Sequence, residues 1–178
     1  VMDISKIYEK VATLPKRYYG ASATLALVYR AFAKDNQSNS SVVIKHIGDS
    51  RVYHFSAMTK TWRCITRDHN LLNQIVDEQA AAENRQADFG KYNQEGMASP
   101  LYALTDCLIA DSDLDSNPMP AFDSQTLKVS SGDCLVVCTD GVHDLVPCDK
   151  WQSIDKHTDL QAWLKQLRKQ IYASKGRA

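Results

Sequence analysis

Three short runs rich in β-branched and aromatic residues lie close together between Val42 and Thr66: Val42 to Ile47, Val52 to Phe55 and Trp62 to Thr66. Turn-forming residues separate them. Gly48-Asp49-Ser50 falls between the first two and suits a hairpin turn or a bulge. Strands this short, joined by connections of a few residues, pair antiparallel, because a parallel pair needs a crossover of a dozen residues or more. Further strands are expected at Tyr102 to Ile109, Gln125 to Val129 and Cys134 to Thr139, with an acidic, proline-containing turn at 111–120 between the first two. The run Leu25 to Tyr29 is open on propensity: its alanine and leucines favour helix, while its valine and tyrosine favour strand.

The apolar period changes in three places. Ile7, Tyr8 and Val11 predict a helix from Ile4 to about Thr13 that stops near Pro15. Asn70 can cap a second helix with Leu71, Leu72, Ile75, Val76 and Gln79 on one face. The pattern Thr158-Asp159-Leu160-Gln161 reads as a capping box, with Leu160, Trp163, Leu164, Leu167 and Ile171 along one face of a last helix. Many short strands with a few helices make an α+β domain dominated by antiparallel sheet, and a β-sandwich flanked by helices is the expected architecture. Its core should include Leu27, Val43, Val52, Leu135, Val137, Trp163 and Leu167.

With 178 residues, no repeat and no linker, a single domain spanning 1–178 is expected. Twenty-one basic residues balance twenty-one acidic ones without blocks of one sign, which argues against an electrostatic nucleic-acid binder. The longest apolar runs, such as Leu135 to Cys138, are too short for a membrane span, so a soluble protein is expected. The first residues, Val1-Met2-Asp3-Ile4-Ser5, lack both an initiator methionine and a secretory pattern, as in a segment taken from inside a longer protein. Five cysteines with no C-x-x-C pair read as reduced thiols of a cytoplasmic protein, and Cys134 and Cys138, four apart on a strand, would lie roughly 13 Å apart. No disulfide is expected.

Residues 83–99 carry few large apolar groups and two glycines, the composition of a surface lid. His46, His54, His69, His143 and His157 show no i, i+4 pairing and none sits beside a cysteine pair, so no zinc site is expected. There is no G-x-S-x-G elbow, no P-loop and no G-x-G-x-x-G. The chemistry then rests on acids at strand ends. Asp140 follows the apolar run Cys134 to Thr139, and Asp49 follows Val42 to Gly48. A carboxylate there is compensated either by backbone N–H groups of the next turn or by a divalent cation. On local sequence the structural role comes first for both, since Asp-Gly and Gly-Asp-Ser are ordinary turn compositions.

Four segments in order resemble the PPM-type metal-dependent protein phosphatases, the protein phosphatase 2C family. "GASATLALV" (20–28) is similar to the family's Gly-x-Thr strand, which makes Leu25 to Tyr29 a strand, and "IKHIGDSRVYHF" (44–55) resembles its Val-Gly-Asp-Ser-Arg hairpin. "CITRDHNLL" (64–72) resembles its Leu-Thr-x-Asp-His-Ser helix entry, and "SGDCLVVCTDGVHDLVP" (131–147) its Ser-Asp-Gly strand end. "SPLYALTDCLI" (99–109) fits the segment in which the family has Asn-x-Leu-Thr-Arg-Ala-Leu-Gly.

The resemblance implies a protein serine/threonine phosphatase using Mg²⁺ or Mn²⁺, acting on phosphorylated proteins by attack of a metal-activated water. It implies that Asp140 is a metal ligand, and it brings Asp49 and Asp144 level between structural acids and ligands of a further, weaker metal. The lid at 83–99 falls where the family has its flap. The chain lacks the family's Asp-Gly-x-Gly-Gly motif and the Asp-Asn motif near the C-terminus, whose aspartates complete the two-metal centre; Asp35-Asn36 lies in a polar turn on the wrong side of the first strands. Little or no turnover is therefore expected of residues 1–178 alone, and the edges left by missing strands would need a further segment or a second chain. The alternative from another class is a silent phosphatase-like domain that binds a partner or phosphopeptide.

Overall fold

The computed structural model describes residues 4–18, 20–31, 41–83, 100–110 and 120–175. They form four α-helices, α1 (Ile4–Ala12), α2 (Leu71–Ala82), α3 (Asp140–His143) and α4 (Leu160–Lys175). Eight strands accompany them: β1 (Ser22–Ala23), β2 (Leu25–Ala31), β3 (Ser41–Ile47), β4 (Arg51–Ser56), β5 (Thr61–Cys64), β6 (Leu108–Ile109), β7 (Asp123–Lys128) and β8 (Cys134–Cys138). The α+β class and the strand assignment of Leu25 to Tyr29 hold. The residues gather into two compact units, 1–25 with 45–49 and 68–123, and 26–44 with 50–67 and 124–178.

In the first unit, β1 pairs antiparallel with β6, Ser22 opposite Ile109 and Ala23 opposite Leu108. Leu108, Tyr8 of α1 and Ile47 at the end of β3 make its buried apolar cluster, with Ile7, Val11, Leu25 and Phe122 packed around them. The helical spacing of Ile7, Tyr8 and Val11 thus does what it promises, turning one face of α1 inward. Asn70 caps α2 as expected, its side chain accepting from the Asn73 N–H at 2.9 Å.

The strand expected from Tyr102 to Ile109 is the main local correction. Residues Pro100–Tyr102 form a 3₁₀ turn, and only Leu108–Ile109 are strand. The backbone between them finds partners at the entry to α2 instead. Leu71 N–H donates to Ala103 O, Thr105 N–H donates to His69 O, and Leu104 makes an isolated antiparallel bridge with Asn70. Alternation of apolar residues was satisfied by a packed turn rather than by a ladder.

The second unit is built on the antiparallel sheet β5-β4-β8 and also contains most of the sheet β2-β3-β7. Tyr53 stands opposite both Cys64 and Val136, and Phe55 opposite Trp62 and Cys134. Opposed residues share a face, so this face buries Tyr53 and Phe55 against Trp151, Ile154, Trp163 and Leu167. Val52 is fully buried, but Val137, expected in the core, is 49 % exposed. The reason is position: β8 is the outer strand of its sheet, so its side chains are covered from one side only. Leu27, Val43 and Leu135 are half-buried. On α4, Trp163 and Leu167 are buried while Leu160 and Leu164 are half exposed. Its cap differs from the capping box as well. Asp159, not Thr158, accepts the N–H groups of Gln161 and Ala162, and Thr158 Oγ1 turns back to Asp155.

All five cysteines are free thiols. Burial pushes the Cys138 thiol up to about 12, with Cys64 nearby adding to the effect.

Asp133 pins the turn before β8. It accepts from the Ser130 and Ala57 N–H groups at 2.9 Å and from His54 Nε2 at 2.9 Å. Burial acts to raise its carboxyl pKa, but these three donors outweigh burial and hold it below the ordinary 3.8. A carboxyl depressed on folding stabilises the protein above its unfolded pKa, and that contribution is lost as pH falls through the folded value. Asp133→Asn should cost about 1–3 kcal/mol at neutral pH. Its stability should also fall less steeply than the wild type below pH 3.8, read by urea unfolding across pH.

Candidate functional site

The acids singled out from the sequence lie at the ends of secondary structure. Asp140 opens α3, where the strand β8 hands over through Thr139, and it is exposed. Its Oδ1 accepts from the Gly141 N–H at 2.7 Å. A carboxylate in the first turn of a helix is favoured by the unpaired N–H groups there. Asp144 closes α3. Its backbone N–H donates to Asp140 O, and its Oδ1 takes a hydrogen bond from His143 Nδ1 at 2.9 Å. That bond fixes both the buried imidazole and the carboxylate, which is 28 % exposed.

Asp49 sits in the turn between β3 and β4. Together with Asp106 it adds to burial in raising the Cys107 thiol pKa. The expected flap lies outside the described residues except for Glu83.

A different group of side chains converges more closely. His46 of β3, His69 just before α2 and Asp123 at the start of β7 place their ligand atoms within 4.8 Å of one another. Among the described residues no other set of three His, Cys, Asp or Glu side chains does so, and Asp49, Asp140 and Asp144 are outside it. His69 Nε2 lies 3.1 Å and His46 Nδ1 4.0 Å from the same oxygen, Asp123 Oδ2. The imidazole centroids are 4.5 Å apart.

Gly48 organises both rings. Its carbonyl oxygen faces His46 Nε2 at 3.1 Å and its N–H donates to His69 Nδ1 at 3.3 Å, while His69 N–H returns to Gly48 O at 3.0 Å. A carbonyl only accepts and an amide N–H only donates, so His46 carries its proton on Nε2 and His69 on Nε2 as well. That leaves His46 Nδ1 with a lone pair turned toward Asp123. Burial, with His69 beside it, holds the His46 ring below its ordinary 6.5 and therefore neutral near pH 7.

Nothing in local spacing signals this group, because the histidines stand twenty-three positions apart and the chain must return through β7 to supply the acid. No zinc site is expected from histidine spacing, yet the fold brings His46 and His69 together with Asp123.

Gly48 has φ +91°, and a side chain on it would run into Thr24. Gly48→Ala should therefore cost roughly 2 kcal/mol or more, part from the left-handed backbone and part from overpacking. Thermal unfolding checks it; a loss below about 0.5 kcal/mol would show that the turn relaxes freely.

Comparison with solved structures decides what kind of scaffold carries these residues. The S. agalactiae serine/threonine phosphatase superposes with a TM-score of 0.67 at 18 % identity, covering 98 % of this chain and 68 % of that one. The fold is that of the PPM-type serine/threonine phosphatases. The Mycobacterium tuberculosis serine/threonine phosphatase PstP/Ppp gives a TM-score of 0.62 at 19 % identity over 96 % of this chain and 61 % of that chain. The catalytic domain of PstP in complex with two manganese ions gives 0.54 at 16 % identity over 96 % and 60 %. The chain spans 60–68 % of the lengths of these three solved structures. No family model and no curated protein matches the sequence. Among the described residues no helix is long and apolar enough to cross a membrane.

Proposed function

We propose that this chain supplies part of a metal-dependent protein serine/threonine phosphatase that removes phosphate from phosphoserine or phosphothreonine in other proteins. The observation that carries the reading is the agreement of two independent likenesses. The chain has the phosphatase fold over nearly its whole length, and Gly48-Asp49-Ser50-Arg51 and Thr139-Asp140-Gly141, the segments that resemble that family's motifs, stand at turns entering β4 and leaving β8.

Asp140 would hold Mg²⁺ or Mn²⁺, and Asp49 and Asp144 are each either a structural acid or a ligand of a further, weaker ion. Carboxylate oxygens are the hard donors these ions prefer, and the manganese-bound neighbour supports the ion class. When bound, the metal would lower the pKa of a water and neutralise phosphoryl oxygens. What this chain's own residues contribute is placement. The Asp140 carboxylate is exposed at the first turn of α3, and His143 holds Asp144 in one orientation. The second reading is a phosphatase-like domain that binds a partner or phosphopeptide without turnover. Free thiols and balanced charge suit a cytoplasmic setting without nucleic-acid or membrane partners.

The test is hydrolysis of a phosphothreonine peptide by the full-length protein after chelation, with and without Mn²⁺ or Mg²⁺ restored. Turnover that requires the added ion supports the enzyme. Binding of the peptide with no turnover in either ion supports the silent domain.

A further inference from the structure

We propose that His46, His69 and Asp123 form a binding site for a Zn²⁺-type divalent ion, separate from the aspartates assigned to Mg²⁺ or Mn²⁺ and independent of the phosphatase reading. Two imidazoles and one carboxylate make a set that borderline ions prefer and that Mg²⁺ does not, and two nitrogens with one oxygen is a donor set that open zinc sites use.

The spacing fits. Ligands about 2.0–2.2 Å from one ion in tetrahedral or octahedral arrangement stand roughly 3.0–3.5 Å apart. The separations from Asp123 Oδ2 are 3.1 Å to His69 Nε2 and 4.0 Å to His46 Nδ1. The second is too long for a hydrogen bond, so small side-chain rotations would bring the three donors around an ion without breaking a close contact between His46 and Asp123. His46 is already prepared. Its Nε2 is committed to Gly48 O, which orients the ring and leaves the Nδ1 lone pair toward Asp123, as the outer hydrogen bond of a metal-bound histidine does. Burial of His46 and the 65 % exposure of the Asp123 side chain make a site anchored at one end and open to solvent at the other, with room for water as a further ligand.

One adjustment is required. His69 carries its proton on Nε2 while Nδ1 accepts from Gly48, so ligation through Nε2 moves that proton to Nδ1 and gives up the Gly48 contact. At 3.3 Å this contact is long, and a metal–imidazole bond outweighs it. The Gly48 amide thereby becomes a reporter of loading.

The experiment is titration of the metal-free 178-residue chain, in reductant that does not bind metals, with Co²⁺ and then Zn²⁺ alone. Visible cobalt bands should appear at one equivalent without thiolate charge-transfer absorption and be displaced by Zn²⁺ but not by excess Mg²⁺. Zn²⁺ should shift the Gly48 amide resonance and raise the melting temperature. Asp123→Ala, at an exposed side chain, and His69→Gln should each weaken the affinity at least tenfold while the apo melt of Asp123→Ala stays near the wild type. Absence of cobalt bands, bands of thiolate origin, or equal affinity in Asp123→Ala would overturn the site. If His46→Ala does not fold, these two variants still decide the question.

Discussion

Replacing Trp151 by alanine is expected to cost about 3–5 kcal/mol, enough to leave a domain of ordinary stability largely unfolded at physiological temperature. The ring is 6 % exposed and lies at the centre of the second unit's core. Its centroid is 4.7 Å from that of Tyr53, 5.2 Å from Trp62 and 6.0 Å from Trp163, and the two tryptophan contacts are edge-on, the arrangement in which ring quadrupoles attract. Its indole N–H also donates to Val146 O at 2.9 Å, fixing the segment that follows α3. Alanine removes the ring, its dispersion contacts and that hydrogen bond together, and β4, which carries Tyr53 and Phe55 on the same face, cannot close the space without leaving its partners β5 and β8. Trp151→Phe should retain much of the packing and lose the hydrogen bond, for roughly 1–2 kcal/mol. Urea unfolding at unchanged slope measures both. A loss below about 1 kcal/mol for Trp151→Ala would mean that the aromatic cluster is not what holds this unit together.

Trp151 also marks how far sequence carries. Local signals were read correctly where a residue's neighbours in sequence are its neighbours in space. The turn at Gly48-Asp49-Ser50, the Asn70 cap and the inward face of α1 follow from spacing alone, because glycine's left-handed freedom, an amide cap and a 3.6-residue period are properties of a few adjacent residues. Exposure of Val137 was not legible, since an apolar side chain on a strand reads the same whether the strand is inner or outer. The end of the expected strand was missed because the residues after the 3₁₀ turn, Ala103 to Thr105, find their backbone partners at the entry to α2, about thirty residues away.

The candidate sites divide in the same way. Asp49, Asp140 and Asp144 stand out in the sequence as candidates because each lies in a short motif at a strand or helix end. His46, His69 and Asp123 meet only through β3, the α2 entry and β7, and no spacing rule joins them.

The second large effect expected is functional, and it concerns the acid at which β8 ends. Asp140 is exposed and makes one local hydrogen bond, so Asp140→Asn should leave the melt within about 0.5 kcal/mol of wild type. If the carboxylate holds the metal, its loss should be severe. Replacing groups that merely orient a metal's ligands costs about 10- to 100-fold, so replacing a ligand should cost on the order of 100-fold or more in turnover. The decisive measurement is kcat for a phosphothreonine peptide, in saturating Mn²⁺, of the full-length wild type and Asp140→Asn side by side. Metal-dependent turnover reduced at least about 100-fold in a variant that melts like the wild type is the expected result. Undiminished turnover in Asp140→Asn would contradict it and leave Asp140 as a structural acid at the head of α3.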